Sequence, residues 1–478
     1  MAPATIRNGL FAFFSGLFLL CLLAAAWLEA WYFIAIPFAI VFFYLGWQYN
    51  HIVFFALLFS LPFSTEVQFS ATLGTDFPDE LLMLFTAGLF LCYWVYYPQA
   101  LTRKIIQHPL IILLSITFIW SIVAVLFSTD HLLSIKFLLA KSWYLGAFVL
   151  APLIVFKNKI AIKTGIISLA IAMLLVTLLT MLRHYKYDFT FAGINAALHP
   201  FFRNHVNYSA ILVCIIPVFF VFYKLSASKW LRNLLIVIMG LLLVALFFSY
   251  ARGAWLALLT GMIAYWLIKK RIMLGAYVLT IIITIVSVFW IKANDRYLQY
   301  AHDYRTTIFH QNFGEHLRAT YEFKDVSTAE RFYRWIAGVR MIKDDPLTGF
   351  GPNTFYSTYK PYAIPAFKTW VSDNPEHSTV HNYFLMITIE QGIPGLFFFL
   401  LLTGAMLHYS QLLYHRASDP FYKMAAIITG VGLVMILTVN FLSDMIETDK
   451  VGSLFFLCLS MLVVINGRIS NTEHRSNT

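Results

Sequence analysis

Apolar runs of bilayer length, about 20 residues each, recur from one end of this chain to the other, and no other feature limits its fold so strongly. They fall at 10–28, 31–47, 50–62, 79–97, 109–127, 132–156, 160–182, 206–223, 230–248, 253–269 and 272–291. Hydropathy then collapses for almost ninety residues before three more runs at 381–409, 422–442 and 449–466. A backbone polar group left unpaired in hydrocarbon costs several kcal/mol, so segments of this length must satisfy their own hydrogen bonds as helices. The 50–62 run is short, and with 31–47 it forms either two spans or a re-entrant hairpin, which sets the expected count at twelve to fourteen. With 60% hydrophobic and only 12% charged residues, the chain departs from the soluble norm of about half apolar and a quarter charged. The sequence therefore predicts an all-α integral membrane protein with one large periplasmic loop domain, and it excludes a soluble enzyme on a single anchor. The expected division is 1–291 (about eleven N-terminal transmembrane helices), 292–380 (periplasmic loop domain), 381–469 (about three C-terminal helices) and 470–478 (a disordered tail).

Charge orients this bundle. With a cytoplasmic N-terminus, the short cytoplasmic segments hold sixteen Lys and Arg: Arg7, Arg103, Lys104, Lys157, Lys159, Lys163, Lys224, Lys229, Arg232, Lys269, Lys270, Arg271, Arg416, Lys423, Arg468 and Arg475. The opposite short segments hold five: Arg183, Lys186, Arg203, Arg252 and Lys450. The positive-inside rule then puts both termini in the cytoplasm of a bacterial inner membrane and the 292–380 segment in the periplasm. The net charge of +11 is thus mostly topology, and nothing reads as nucleic-acid binding. Cys21, Cys92, Cys214 and Cys458 all fall in apolar runs, with no spacing for a disulfide framework or a metal. The first run lacks a small-residue cleavage site and reads as a retained helix.

Chemistry is expected in the long segment, because loops on a rigid scaffold carry function. It mixes helical text, Ala329–Met341, with the turn text Pro346-Leu-Thr-Gly-Phe-Gly-Pro352, and ends in Glu376-His-Ser-Thr-Val-His-Asn382 where the next apolar run begins. A histidine there, at a helix start and at the membrane surface, is placed to act as a base, since its ordinary pKa is near neutral.

Spacing makes that reading specific. His381-Asn382 is followed by nine residues and then Gly392-Ile-Pro-Gly395, which resembles the His-[Asn/Ser/Gln]-x9-Gly-x-x-[Gly/Thr/Tyr] pattern of bacterial O-antigen ligases. Phe248-Ser-Tyr-Ala-Arg-Gly-Ala-Trp255 resembles the Ser-Arg-Gly hairpin of the same superfamily, which also includes O-antigen polymerases and O-linked oligosaccharyltransferases. Glu330-Arg-Phe-Tyr-Arg-Trp335, followed by Asp345-Pro-Leu-Thr-Gly-Phe-Gly351, is similar to its loop signature. The resemblance spans roughly residues 200–465. One departure is the Ser-Tyr-Ala-Arg lead-in, where many members place serine directly before arginine.

The resemblance implies a membrane glycosyltransferase. Its partners would be a glycan on undecaprenyl pyrophosphate, an acceptor such as lipid A–core, and membrane lipids, with no cofactor. His381 would be catalytic, and Arg252, Arg331 and Arg334 would bind the pyrophosphate. Arginine forks suit phosphate oxygens and stay charged. An arginine at the membrane boundary is costly unless it is paired, wetted or snorkelling. Arg331 and Arg334 share one helical face, so one can reach the pyrophosphate while the other pairs with Glu330 or Asp344. Arg203, Asn204, His205, Asn207 and Asn382 are candidates for glycan or acceptor contacts, with helix capping by Asn204 or Asn207 as the alternative. Lys136 and Lys141 are expected inside the bundle, paired with Glu390 or Asp130 or touching substrate. Glu390 would lie about 13 Å deeper than His381 on a continuous helix. Asp444, Glu447 and Asp449 sit at the outer mouth between the last two helices, where they either orient the loop arginines or form a solvated acidic turn. No compact carboxylate cluster is visible, so the expected reaction is metal-independent, inverting displacement, with arginines where other enzymes use a metal. The alternatives are an O-antigen polymerase, a protein O-oligosaccharyltransferase or, from another class, a flippase.

Overall fold

In the computed structural model, residues 4–28, 33, 35–68, 74–294, 296, 326–364, 372 and 379–476 are described, the side chains of 4–8, 10–11, 35, 326–328 and 471–476 excepted. The long apolar runs are all helical: α1 (Ala4–Trp27), α2 (Ala35–Gln48), α3 (Asn50–Ser60), α4 (Asp79–Tyr96), α5 (Pro109–Leu126), α6 (His131–Val155), α7 (Lys159–Tyr185), α8 (His205–Leu225), α9 (Lys229–Phe248), α10 (Arg252–Lys269) and α11 (Met273–Lys292). After the long polar segment, which contributes α12 (Val326–Asp344), come α13 (Tyr383–Arg416), α14 (Pro420–Phe441) and α15 (Asp449–Ser476). Helix therefore extends over most of the tail that the sequence suggested would be disordered. Among the described residues, ten helices are long and apolar enough to cross a membrane, and α2 with α3 makes an eleventh if that pair is one span. The pair bends by 106°, so it is a broken span or a re-entrant loop rather than two straight spans. The all-α membrane fold read from sequence is the fold observed.

A two-stranded antiparallel hairpin, β1 (Thr65–Gln68) and β2 (Gly74–Phe77), follows α3, with Glu66 opposite Asp76. The sequence analysis missed it because four-residue strands give no usable alternation. The buried core is one cluster drawn from both halves of the chain. α14 packs between α10 and α13 and is buried along most of its length, whereas α11 buries only Met273.

Helix starts are fixed by side-chain caps, which satisfy the first free amides. Asn204 Oδ1 accepts from the amides of Val206 and Asn207 (3.0 Å each), Asn382 Oδ1 from Leu385 (3.0 Å), and Asp419 Oδ1 from Phe421 (2.9 Å). Two of these caps, Asn204 and Asn382, lie at the end of the bundle that carries α12, called here the loop end.

Candidate functional site

The site is assembled by a weld between two sequence motifs. α13 is broken at Gly392, whose φ of +70° and ψ of 179° no helix contains. Into this break docks the Pro346–Gly351 turn. Ile393 donates its amide to the Pro346 carbonyl (2.8 Å), Phe350 to Ile389 (3.0 Å) and Gly351 to Glu390 (2.9 Å). The glycines are required by this approach: a Cβ at Gly392 would lie 2.0 Å from the Leu347 carbonyl oxygen, and one at Gly349 2.5 Å from that of Ile389. Left-handed backbone at both positions adds a second reason for glycine. Asp345 stabilises the turn from within by accepting from the Thr348 and Gly349 amides (3.1 and 3.2 Å). Thus the Gly-Ile-Pro-Gly element receives the Pro346–Gly351 turn. It is the socket that fixes α12, with its arginines, against α13, with its histidine.

Glu390 belongs to the same weld. It is buried, and its carboxylate accepts from the amides of Asn353 and Phe355. This corrects the expected pairing of Lys141 with Glu390 or Asp130. Lys141 Nζ instead lies 2.8 Å from Glu447 and over the rings of Phe137 and Phe456.

The segment entering α13 is held from both sides. Trp335 of α12 donates its indole N–H to the Val380 carbonyl (2.9 Å), and Arg334 donates to the Thr379 carbonyl (3.3 Å). Just beyond, the Tyr383 amide bonds the Ser443 carbonyl (2.9 Å). Between these anchors His381 adopts φ +53°, a left-handed conformation that persists only where the surroundings over-determine it. Its Nδ1 lies 3.9 Å from Asp444 Oδ1, a contact too long to be a hydrogen bond but one that substrate could close. Burial, reinforced by the guanidiniums of Arg334 and Arg331, pushes the His381 pKa down to about 3. The imidazole is therefore neutral at working pH. Asp444 is shifted the other way, upward, by burial.

The arginines divide their labour. Arg334 is buried in an ion pair with Glu330 (2.8 Å), which also takes a hydrogen bond from Ser372. It fills the structural role that the sequence left open for one of the two. Arg331 is less buried and close enough to bear on the charge of His381. Arg252 is the first residue of α10, and the turn before it contains Tyr250 at φ +57°. The first turn of α10 abuts Leu442, since a Cβ at Gly253 would sit 3.7 Å from its Cδ1, and Leu442 is two residues from Asp444. Phe441 in turn contacts Trp335 and Phe384. The start of α10 thus lies against the end of α14, which contacts α12 and α13, and Arg331 and Arg334 of α12 lie near His381.

The upstream candidates have partners of their own. Arg203 makes a two-pronged ion pair with Glu66 of β1 (2.8 and 2.7 Å), Asn204 caps α8, and His205 bonds the Asn195 carbonyl oxygen of its side chain (3.1 Å from Nδ1). For Asn204 the capping alternative is the observed one, and Asn382 likewise caps its helix. Asn207 lies half-buried in the first turn of α8. The solvated reading of the acidic turn is not the one observed: Asp444 faces His381, Glu447 holds Lys141, and Asp449 takes a hydrogen bond from Tyr144. The sequence could not reveal Trp335, because an indole does not signal its role without its neighbour, whereas the expected reach of Asp444 toward the loop arginines agrees with Arg334 acting on its charge. His377 lies outside the described residues. Among the described residues, no group of three or more His, Cys, Asp or Glu is arranged to hold a metal ion.

Residues 234–400 match the family model described as O-antigen ligase. The matched segment contains Arg252, Arg331, Arg334, His381 and Gly392, and it leaves out Arg203 to Asn207 and Asp444. Among curated proteins no match was found. The chain is a multi-pass membrane protein, and its 234–400 segment is similar to the O-antigen ligase family.

Proposed function

We propose that this ligase/polymerase-type membrane enzyme transfers a glycan from undecaprenyl pyrophosphate to lipid A–core, at the periplasmic face of a bacterial inner membrane. The charge segregation of the short loops supports that orientation. The observation that carries the chemistry is the strained, neutral His381, held within electrostatic reach of Arg331 and Arg334 and facing Asp444. A base and phosphate-binding cations sit together there at the end of the bundle.

In the reaction proposed, the acceptor hydroxyl attacks the anomeric carbon and gives its proton to His381. The bond from that carbon to the pyrophosphate oxygen breaks, and its electron pair leaves with undecaprenyl pyrophosphate. One displacement inverts the anomeric centre. Nδ1 faces Asp444, so closure of that gap would keep the ring proton on Nδ1 and leave Nε2 to accept. Arg252 and Arg331 would stabilise the charge growing on the leaving group. Burial, with the guanidiniums of Arg334 and Arg331, suppresses the basicity of His381. A bound pyrophosphate would offset their charge and make the imidazole a stronger base when it is needed.

The test is a deletion strain examined for its surface glycan, with purified protein assayed in parallel on lipid-linked glycan and lipid A–core in the presence of chelator. Rough lipopolysaccharide with accumulated lipid-linked polymer, and transfer undiminished by chelator, are expected. A surface glycan capped at one repeat unit would make the chain a polymerase, unglycosylated secreted protein would make it a protein glycosyltransferase, and loss of activity with chelator would overturn metal independence.

A further inference from the structure

The turn between α9 and α10 contains an anomaly that the transfer chemistry does not use. Tyr250 has φ +57°, a conformation glycine adopts freely and a bulky residue rarely does. Its side chain is tied down. The hydroxyl donates to the Phe189 carbonyl (2.6 Å), and the ring meets Phe191 edge-on at 5.5 Å. Phe191 meets His205 in the same manner at 5.8 Å.

The receiving carbonyl is itself fixed. Asp188 and Phe189 both have left-handed backbone, the Phe189 amide bonds the His184 carbonyl (3.2 Å), His184 Nε2 bonds the Thr190 carbonyl (2.8 Å), and the Phe189 ring packs on Phe248 at 4.8 Å. On the other side of the turn, Leu246 accepts from both Ser249 Oγ (2.6 Å) and the Trp255 indole (2.9 Å), and the Trp255 ring stacks on Phe247. Tyr250 therefore joins two pieces that are each rigid, and the next residue but one is Arg252.

We propose that Tyr250 is a positioning residue: its clamp on the Phe189 carbonyl holds the left-handed turn that aims Arg252 at the pyrophosphate and joins that site to the loop carrying Arg203 to His205. The inference rests on the reading of Arg252 as a pyrophosphate ligand. The clamp acts on the direction of a guanidinium fork, and fork geometry rather than charge alone gives arginine its grip on phosphate. Loosening the turn leaves the charge in place and weakens its aim.

The experiment measures inorganic pyrophosphate as an inhibitor of glycan transfer by the purified full chain, for Tyr250→Phe, Tyr250→Gly, Arg252→Ala and the Tyr250→Phe/Arg252→Ala pair. Tyr250→Phe keeps the ring and loses one hydrogen bond, so pyrophosphate affinity should fall and the KM for lipid-linked glycan rise by on the order of 3- to 10-fold, with kcat changed less. Tyr250→Gly, which relieves the backbone but loses hydroxyl and ring together, should lose at least as much. In the Arg252→Ala background the tyrosine change should add nothing, because the group it aims is gone. Wild-type pyrophosphate affinity in both Tyr250 variants, or a full additional loss in the pair, overturns the clamp and leaves the Arg252 reading intact. Wild-type affinity in Arg252→Ala overturns the Arg252 reading and the clamp with it.

Discussion

Both ends of the bundle set cations over aromatic rings, at the loop end Arg183 over Phe201 and Lys450 over Phe202, but they differ in how deeply their ion pairs are buried. Away from α12, cations lie over aromatic rings near the helix ends: Lys163 over Phe421, Lys224 over Phe220, Lys269 over Tyr265 and Lys423 over Tyr414. The ion pair there, Lys159 with Asp419, has side chains 44% and 35% exposed. At the loop end Arg203–Glu66 is exposed as well, but the Arg334–Glu330 pair is 4% and 7% exposed, and Lys141 is paired with Glu447 beside the core. Backbone strain divides likewise. Among the described residues with left-handed backbone other than glycine, Asp188, Phe189, Tyr250, Asn294, Asn353 and His381 lie at the loop end, and only Arg271 lies at the other. Snorkelling cations over rings anchor a protein in its membrane. Buried charge and strained backbone cost stability, and they persist where a site must be held in one geometry. The contrast supports the proposal that the chemistry sits at the loop end.

The largest effect that would break this contrast is at its most strained residue. His381→Ala should lower transfer by on the order of 100- to 10,000-fold, the usual cost of losing a general base, while the protein stays abundant and inserted. His377→Ala, outside the motif, should keep substantial activity in the same assay. Next comes Arg252. Arg252→Lys keeps the charge and loses the fork, and a fall in turnover of about 100-fold is expected, in the range for removing one donor to a developing negative charge. Wild-type turnover in both Arg252→Lys and Arg252→Ala would make this arginine one more membrane anchor and erase the distinction between the ends.

A smaller effect sharpens the comparison through pH. Burial and the guanidiniums of Arg334 and Arg331 hold His381 down to about 3, so the acid limb of kcat/KM, which reports the free enzyme, should lie well below the ordinary histidine value of about 6.5. In Arg331→Gln one positive neighbour is gone, the imidazolium costs less to form, and the limb should move to higher pH. An unmoved limb would mean that Arg331 does not act on His381. The smallest effect belongs to the other end: Lys159→Met, which breaks a largely exposed pair, should cost less than about 1 kcal/mol in unfolding and leave transfer unchanged. A marked loss of transfer there would show that chemistry reaches both ends.

Much of the fold was legible because a bilayer imposes a length on apolar runs, and each run from 10–28 to 449–466 became a helix. What that length cannot report is direction, so the 106° bend between α2 and α3 was open, and the 65–77 hairpin was too short to show. In the site, His381 and the α12 arginines were found by motif, but the reason they meet was not in the motif. It is the docking of the Pro346–Gly351 turn into a helix broken at Gly392, 41 to 46 residues further along the chain. Partners chosen across the bundle were equally hidden. Lys141 chose Glu447 over Glu390 because Glu390 is already taken by the amides of Asn353 and Phe355. Asp444 could be read as solvated turn text until His381 stood opposite it.

The central claim is that His381 serves as the base and is not merely a residue that shapes the entry to α13. The most direct test is the transfer rate of His381→Gly with and without added imidazole, since glycine accepts φ +53° without strain and leaves the held segment able to keep its course. The account predicts negligible transfer without imidazole and partial recovery that rises with the concentration of its neutral form. A His381→Gly enzyme that transfers glycan at the wild-type rate with no imidazole present would contradict it.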